Sequence, residues 1–396
     1  MMHRTVATAT SPGTRRSFLT DLCRLGAAAV LGTVATERTT FAAQRSKDRL
    51  IIRSPRPEDL ETPAHLLTSW ITPTDLFYVR SHFYTPVVRE ADWKLVIDGD
   101  VDRPFEMTLG ELRSLPSTRQ VVTLECAGNG RAFFDPRVAG VQWQKGAVGT
   151  AEWRGVRLGD MLARAGARRT ARYLWLDGAD SGIDRAPDFI RSLPVEKAVD
   201  SATLLAYEMN GEPLPVAHGF PLRALVPGWE GAYSVKWLTH IRVSEKDHDG
   251  AFTQAGYRRP RRPVKPGTLV APADTVPVRE LPIKSLITSV ADDAVVSGGV
   301  VSIAGFAWVG DAEIRRVDVS TDSGRTWHAA RLGRDRARYA WRQFEYAWRP
   351  RDSGSYAVLS RATDSRGRVQ PIVAEWNPAG YLWNAIDQVR LDVRLE

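Results

Sequence analysis

The 396-residue sequence contains two cysteines. One of them, Cys23, lies in an N-terminal stretch that reads as removable, so Cys126 is left alone. A single thiol cannot staple a fold, and such a chain has to hold together by burying apolar surface. Cys126 is then either a small buried apolar residue or a chemical one. It sits in Thr123-Leu-Glu-Cys-Ala-Gly-Asn-Gly-Arg131. Val121, Val122 and Leu124 read as a strand, and the Gly-Asn-Gly turn beyond it is a place where side chains can ring a ligand. Arg131 follows, and a guanidinium there favours the charged form of a thiolate or a bound anion.

The N-terminus sets an expected compartment. Thr14-Arg-Arg-Ser-Phe-Leu19 has the form of a twin-arginine signal, and a mildly apolar run from Leu25 to Ala35 follows it. Phe41-Ala42-Ala43 supplies a small-residue cleavage site, so residues 1–43 are expected to be a signal peptide and the protein periplasmic. The apolar run is too short to span a bilayer, which takes ~20 residues, and no membrane anchor is expected. Twin-arginine export carries folded proteins, commonly with a cofactor already inserted.

Charge narrows the partners. The chain has 54 Lys and Arg against 46 Asp and Glu; residues 1–43 hold five of the former and two of the latter, which leaves +5. That modest field suits small anions or an acidic partner protein. The basic run Tyr257-Arg-Arg-Pro-Arg-Arg262 stands among prolines, without interleaved aromatics or a recognition-helix pattern. It reads as a solvated loop at the rim of an anion site, and no nucleic-acid partner is expected.

Patterning divides the chain in two. From Asp92 to Val243 short β-rich runs alternate with brief helical ones. Asp92 to Asp98 alternates like a strand, turned by Gly99-Asp100. Thr108-Leu-Gly-Glu111 is a capping box, and Leu158 to Ala165 has helical spacing with Gly166 as its C-terminal cap. Tyr173 to Leu176, Leu204 to Glu208, Leu222 to Val226 and Lys236 to Val243 read as strands, and Asn210-Gly211 as the turn of a hairpin. This is an α+β pattern. A linker with six spread prolines, Pro260 to Pro282, follows. Beyond it the strands Val300 to Trp308, Ile314 to Ser320, Thr326 to Arg331, Gln343 to Trp348 and Tyr356 to Thr363 suggest an immunoglobulin-like sandwich.

In this order the residues resemble the sulfite oxidase family of molybdenum enzymes over nearly all of the chain that would remain after cleavage. Phe77-Tyr-Val-Arg-Ser-His82 resembles the first cofactor-binding segment, and Thr123 to Arg131 the molybdenum–cysteine loop. Gly178-Ala-Asp180, Ala206 to Pro215, His218-Gly-Phe-Pro-Leu-Arg223 and Val235-Lys-Trp237 follow in the family's order. Gly305-Phe-Ala-Trp308, Val319 to Asp322, Gly324-Arg-Thr-Trp327, Arg361 to Asp364 and Gln370-Pro371 resemble its dimerisation domain. The resemblance implies a molybdopterin-binding catalytic domain at residues 50–270 and an all-β immunoglobulin-like dimerisation domain at residues 280–396.

It also implies a site. Cys126 matches the thiolate that binds molybdenum, a soft ligand suited to that metal. Tyr78, Val79, Arg80, Ser81, His82, Asp180, His218, Arg223, Ser234, Val235 and Lys236 match positions that bind the single pyranopterin and its phosphate. Arg80, Tyr257 and Arg131 match the substrate pocket, where a cation attracts sulfite and stabilises the sulfate that forms. Two positions depart from the family. Gly130 stands where many relatives have arginine, and Asp387-Gln388 stands where they usually have His-Arg. The second change is expected to weaken binding of a doubly charged anion.

The implied reaction is sulfite oxidation. No haem is expected, because the sequence has neither C-x-x-C-H nor an added haem-sized domain. The two electrons would leave singly for an outside acceptor, a periplasmic c-type cytochrome, and the protein is expected to be a homodimer. The competing readings are a molybdenum-dependent reductase of an S-oxide and a cofactor-free binding module built on the sandwich.

Overall fold

The structure, a computed structural model, describes residues 48–182 and 186–395. The twin-arginine segment at 1–43 lies outside them.

The part that precedes the sandwich is built on two five-stranded sheets. In one, the order is Glu212–Pro213, Leu204–Met209, Val148–Arg157 and Thr118–Glu125, with Arg223–Leu225 also paired to Leu204–Met209. In the other it is Phe105–Thr108, Lys94–Gly99, Leu238–Ser244, Tyr173–Gly178 and Arg191–Pro194. Only Leu238–Ser244 on Lys94–Gly99 is parallel within this second sheet. A third, small sheet joins Ile51–Pro55, Glu58–Glu61 and Val79–Arg80.

Three local expectations hold in detail. The Thr108 hydroxyl accepts from the Glu111 backbone N–H while the Glu111 carboxylate accepts from the Thr108 N–H, so the capping box starts the helix Leu109–Arg113. The helix Leu158–Ala165 ends at Gly166, which has a φ of 68°. Its buried residues Leu158, Met161, Leu162 and Ala165 recur at the three- and four-residue spacing of one helix face. Each large apolar side chain buried this way contributes roughly 1.5–3 kcal/mol. Asn210-Gly211 turns the hairpin with φ values of 54° and 84°, the left-handed conformations that this pair tolerates.

The carboxy-terminal part is a two-sheet sandwich, as its strand spacing suggested. One sheet runs Lys284–Ile287, Val301–Trp308, Arg342–Trp348, Arg331–Leu332, and the other Ala294–Ser297, Asp387–Arg394, Gly354–Asp364, Ile314–Ser320, His328–Ala329. Here the expected strand Thr326 to Arg331 is corrected. Residues His328–Ala329 pair with one sheet and Arg331–Leu332 with the other. The chain changes sheets at Ala330, whose N–H bonds to Val317 O at 2.8 Å, before Gly333 bonds to Gln343 O at 2.8 Å. The proline-rich linker is also less bare than expected, since Arg258–Pro260 and Thr275–Pro277 pair within it.

The sandwich reaches back onto the Cys126 loop. Trp341 N–H donates to Thr123 Oγ1 at 2.8 Å, and Trp70 and Trp341 each donate an indole N–H to the other's carbonyl, at 3.0 and 2.7 Å. Trp308 donates to the Glu125 carboxylate at 2.8 Å.

Candidate active site

Thr118–Glu125 pairs antiparallel with Val148–Arg157 in unbroken register up to Glu125↔Val148. The Cys126 N–H extends that ladder to Ala147 O at 3.0 Å, and the chain then turns back through Asn129 N–H to Cys126 O at 2.9 Å. The strand thus ends with the thiol at the floor of a cleft whose empty space, including its open mouth, is about 660 Å³. Gly130 closes the turn with a φ of 92°, and a Cβ there would stand 2.6 Å from the Trp383 side chain. That close approach accounts for glycine at this position.

The Cys126 thiol is pushed up to about 11 by burial, against the opposing fields of Arg80 and Arg131. Alone it is a neutral thiol; a metal is the kind of partner that would deprotonate it. Among the described residues no group of three His, Cys, Asp or Glu is placed to hold a metal ion. A metal at Cys126 would therefore take its remaining ligands from a cofactor.

One wall comes from the segment around Val79–Arg80. Tyr78, Val79, Arg80, Ser81 and His82 all line the cleft. Buried Asp59 anchors the turn, accepting from Arg80 Nη1 and from the Ser81 N–H, both at 3.2 Å. The His82 ring stacks on Phe189 at 3.8 Å and 17°, and its Nε2 lies 2.6 Å from the Tyr257 hydroxyl. Burial, with the charges of Arg80, Arg191 and Lys236, holds His82 well below the ordinary imidazole range. Burial raises Tyr257 well above the usual phenol range. Both groups are neutral and share one hydrogen bond.

The far wall is cationic. Asp180, His218, Arg223, Ser234, Val235 and Lys236 line it. Arg223 donates to His218 O at 2.9 Å and Ser234 O at 2.8 Å, and the Ser234 hydroxyl accepts from Val226 N–H at 3.1 Å. Lys236 donates to Ser81 Oγ at 2.8 Å and Ala217 O at 3.0 Å. Burial lowers Lys236 to about 7, with Arg223 pushing the same way. His218 is lowered to about 3 by burial, Lys236 and Arg223. Asp180 is raised to about 6, again by burial.

Burial, reinforced by repulsion from neighbouring cations, drives protons off Lys236 and His218. An anionic ligand relieves that conflict. A group with a phosphate at one end and a soft-ligated metal at the other fits this donor set.

The residues matched to the cofactor and to the metal thus line one cleft, and Arg80 and Tyr257 line it too. Arg131 does not. Its guanidinium donates to Ala379 O at 3.1 Å and Val141 O at 3.0 Å and lies 5.1 Å from the Tyr381 ring centre. Gly128 and Gly140 leave room for it, since a Cβ on either would stand within 2.9 Å of the guanidinium. Arg131 braces the loop and acts on Cys126 through its field, rather than by touching substrate.

Asp387-Gln388 is corrected as well. Asp387 pairs with Lys145 at 2.6 Å and accepts from Ile287 N–H at 2.8 Å, and both residues face a separate cavity beside Trp308 and Trp383. Arg390 pairs outward with Asp292 and Asp293 at 3.9 and 3.5 Å, so it supplies no cation to the cleft.

Residues that the sequence reading missed complete the site. Glu230 is fully buried in the cleft wall, 3.4 Å from Arg191. The Arg191 guanidinium in turn lies 4.5 Å from the Tyr257 ring centre and 4.4 Å from that of Tyr233. No motif spacing marks them; a charged residue between Trp229 and Gly231 was the one visible sign.

Residues 82–252 match the family model described as oxidoreductase molybdopterin binding domain, and residues 275–394 that of the Mo-co oxidoreductase dimerisation domain. The chain is 37% identical over 363 residues to mitochondrial sulfite oxidase of Rattus norvegicus, covering 87% of this chain and 66% of that protein. It is 37% identical to sulfite oxidase of Gallus gallus, covering 85% and 76%, and 34% identical to that of Arabidopsis thaliana, covering 84% and 91%. Among solved structures it is similar to the sulfane dehydrogenase SoxCD from Paracoccus pantotrophus, with a TM-score of 0.74 and 30% identity over 85% of this chain and 84% of that one. The chain thus spans about two thirds of the rat protein's length.

Proposed function

The chain belongs to the sulfite oxidase family of molybdenum oxidoreductases, and on that premise we propose that it oxidises sulfite, or a similar small sulfur oxyanion, to sulfate. The overall change consumes water and releases two protons and two electrons. The electrons pass singly to an external acceptor, a c-type cytochrome, and the enzyme works in the periplasm as a homodimer. The observation that carries this reading is the single cleft that joins Cys126 to Arg80 and Tyr257 at one end and to His218, Arg223 and Lys236 at the other.

The molybdenum-pterin group, when bound, supplies the oxygen transfer and accepts the electron pair. Cys126 would hold the metal, while His218, Arg223, Ser234 and Lys236 would hold the pterin and its phosphate. The chain's own part in the chemistry is electrostatic. Arg80, tied to Asp59, presents a fixed cation to the incoming anion. Tyr257 and His82 hold a proton between them beside the reacting end. Their burial in the cleft wall limits how far bulk water screens these groups.

Sulfite-dependent reduction of ferricyanide by protein carrying about one molybdenum per chain tests the reading. Absence of turnover by loaded protein would overturn it. One observation favours a second sulfur substrate. With Arg131 tied to carbonyls, Asp387-Gln388 lining another cavity and Arg191 paired with Glu230, Arg80 is the arginine that lines the cleft beside Tyr257. A less charged sulfur group, of the sulfane kind named for the structural neighbour, suits that field better than a dianion. Matches to both family models argue against a cofactor-free binding module, and nothing in the cleft favours S-oxide reduction.

A further inference from the structure

Tyr257 is a bulky residue at a φ of 53°. A side chain of this kind rarely occupies that region, and it stays there only when its surroundings fix it. Four contacts do so. Its carbonyl accepts from Val278 N–H at 2.8 Å, its hydroxyl meets His82 at 2.6 Å, and Arg191 lies against its ring. The fourth is Tyr381, whose ring is stacked on it at 5.4 Å and 9°.

Tyr381 is itself held with unusual care for a loop residue. Its N–H donates to Asn377 Oδ1 at 3.0 Å and its carbonyl accepts from Asn377 Nδ2 at 2.8 Å, so one asparagine clamps both sides of its backbone. The next residue, Leu382, donates its N–H to Ala127 O at 2.8 Å, directly beside Cys126. The Arg131 guanidinium rests 5.1 Å from the Tyr381 ring centre, a cation–π contact. Tyr381 does not line the Cys126 cleft; it faces a second, outer cleft.

We infer that Tyr381 is a positioning residue that sets the orientation of Tyr257, and that Arg131 reaches the reacting end through it. The order of contact is Arg131, Tyr381, Tyr257, His82. Each link is an aromatic face or a hydrogen bond, so a displacement at Tyr381 passes to the Tyr257 hydroxyl. The inference rests on the reading of Tyr257 as a catalytic residue.

The test uses full-length, molybdenum-loaded protein, with rates expressed per bound metal. Tyr381→Met fills a similar volume without a ring; Tyr381→Phe keeps the ring and is the conservative rescue. Tyr381→Met is expected to lower kcat/KM for sulfite about ten-fold or more, since small misplacements of a reacting group are costly. Tyr381→Phe should stay within about three-fold of wild type, at the low end of what one ordinary hydrogen bond is worth, the bond being that of the Tyr257 N–H to the Tyr381 hydroxyl. The same losses are then measured in a Tyr257→Phe background, where Tyr381→Met should cost nothing further because its route of action is gone.

A readout independent of turnover is the crystal structure of Tyr381→Met, loaded or not, in which the Tyr257 hydroxyl should have left His82. Independent losses from the two substitutions, or Tyr257 unmoved in the crystal, would overturn the inference alone. If Tyr257→Phe is itself harmless, the catalytic reading of Tyr257 falls, and this inference with it.

Discussion

The Lys284 ammonium lies 2.8 Å from the Glu125 carboxylate across 159 residues of chain. Both side chains are almost fully buried. Asn129 and Trp308 add hydrogen bonds of 2.8 Å to the same carboxylate. The residue next to the thiol is therefore fixed by two side chains of the sandwich and one of its own loop, and the floor of the cleft is a joint product of both parts of the chain.

Lys284→Met should be strongly destabilising, because it leaves a buried carboxylate without its cation. Removing one partner of such a pair costs about 3–5 kcal/mol. Urea denaturation measures it, and a loss below about 1 kcal/mol would show that Asn129 and Trp308 suffice to stabilise the charge.

Cys126→Ser should fold normally by circular dichroism and lose sulfite oxidation, since a hydroxyl is a poor soft ligand. Metal analysis alongside the assay separates loss of the metal from loss of the chemistry. Full activity in this variant would remove Cys126 from the reaction.

Cofactor-free protein should show a pH dependence that traces to Lys236. Its folded value is lowered to about 7 from 10.5, first by burial. Between those values the unfolded chain binds a proton that the folded one lacks, so stability rises with pH. Below about 7 the buried ammonium costs the folded state stability in full, and the cost is relieved as pH rises to about 10.5. Thermal melts across this window should show a rise that Lys236→Met flattens. Inorganic phosphate should stabilise the cofactor-free protein below pH 7 and progressively less above it.

Replacing Asp387 and Gln388 by His and Arg should leave the Michaelis constant for sulfite unchanged, contrary to what the family comparison of that segment suggests. Both residues face away from the Cys126 cleft. The double variant should instead lose stability, because the Lys145 ion pair and the Ile287 N–H both depend on the Asp387 carboxylate. A lowered Michaelis constant would place the segment at the substrate after all.

Light scattering of the purified protein should give a dimer. The match of residues 275–394 to a dimerisation domain is the basis, and a twofold pair is the commonest closed assembly. A monomer at micromolar concentration would count against it.

The strands and caps that could be read from the sequence were those with a local cause. The Thr108 capping box and the Leu158–Ala165 stripe are set by residues within one turn of each other. Ala330 shows the opposite case: a run with continuous strand propensity changes sheets because of carbonyls on Val317 and partners on Gln343, which local pattern does not encode. Asp387–Arg394 has a clean two-residue alternation of burial, set by Val389, Leu391 and Val393, and is legible as a strand. In the site, the residues that line the Cys126 cleft were legible because their order matches a family. Glu230, Arg191 and Tyr381 were not, because their roles arise from contacts between distant segments. Arg131 lies in the loop the sequence marks, but its guanidinium is held by the Ala379 and Val141 carbonyls, outside the cleft lining.

Arg131 waits for a carbonyl 248 residues downstream, at Ala379, and Lys284 and Trp308 reach Glu125 from 159 and 183 residues downstream. During synthesis the Cys126 loop therefore emerges long before the groups that hold it in shape. A growing chain cannot present a finished floor to a metal-bearing ligand until the sandwich has been made and has folded back. Loading would then be confined to chains that have passed that point, and a product cut short before residue 379 would lack the carbonyl that holds Arg131.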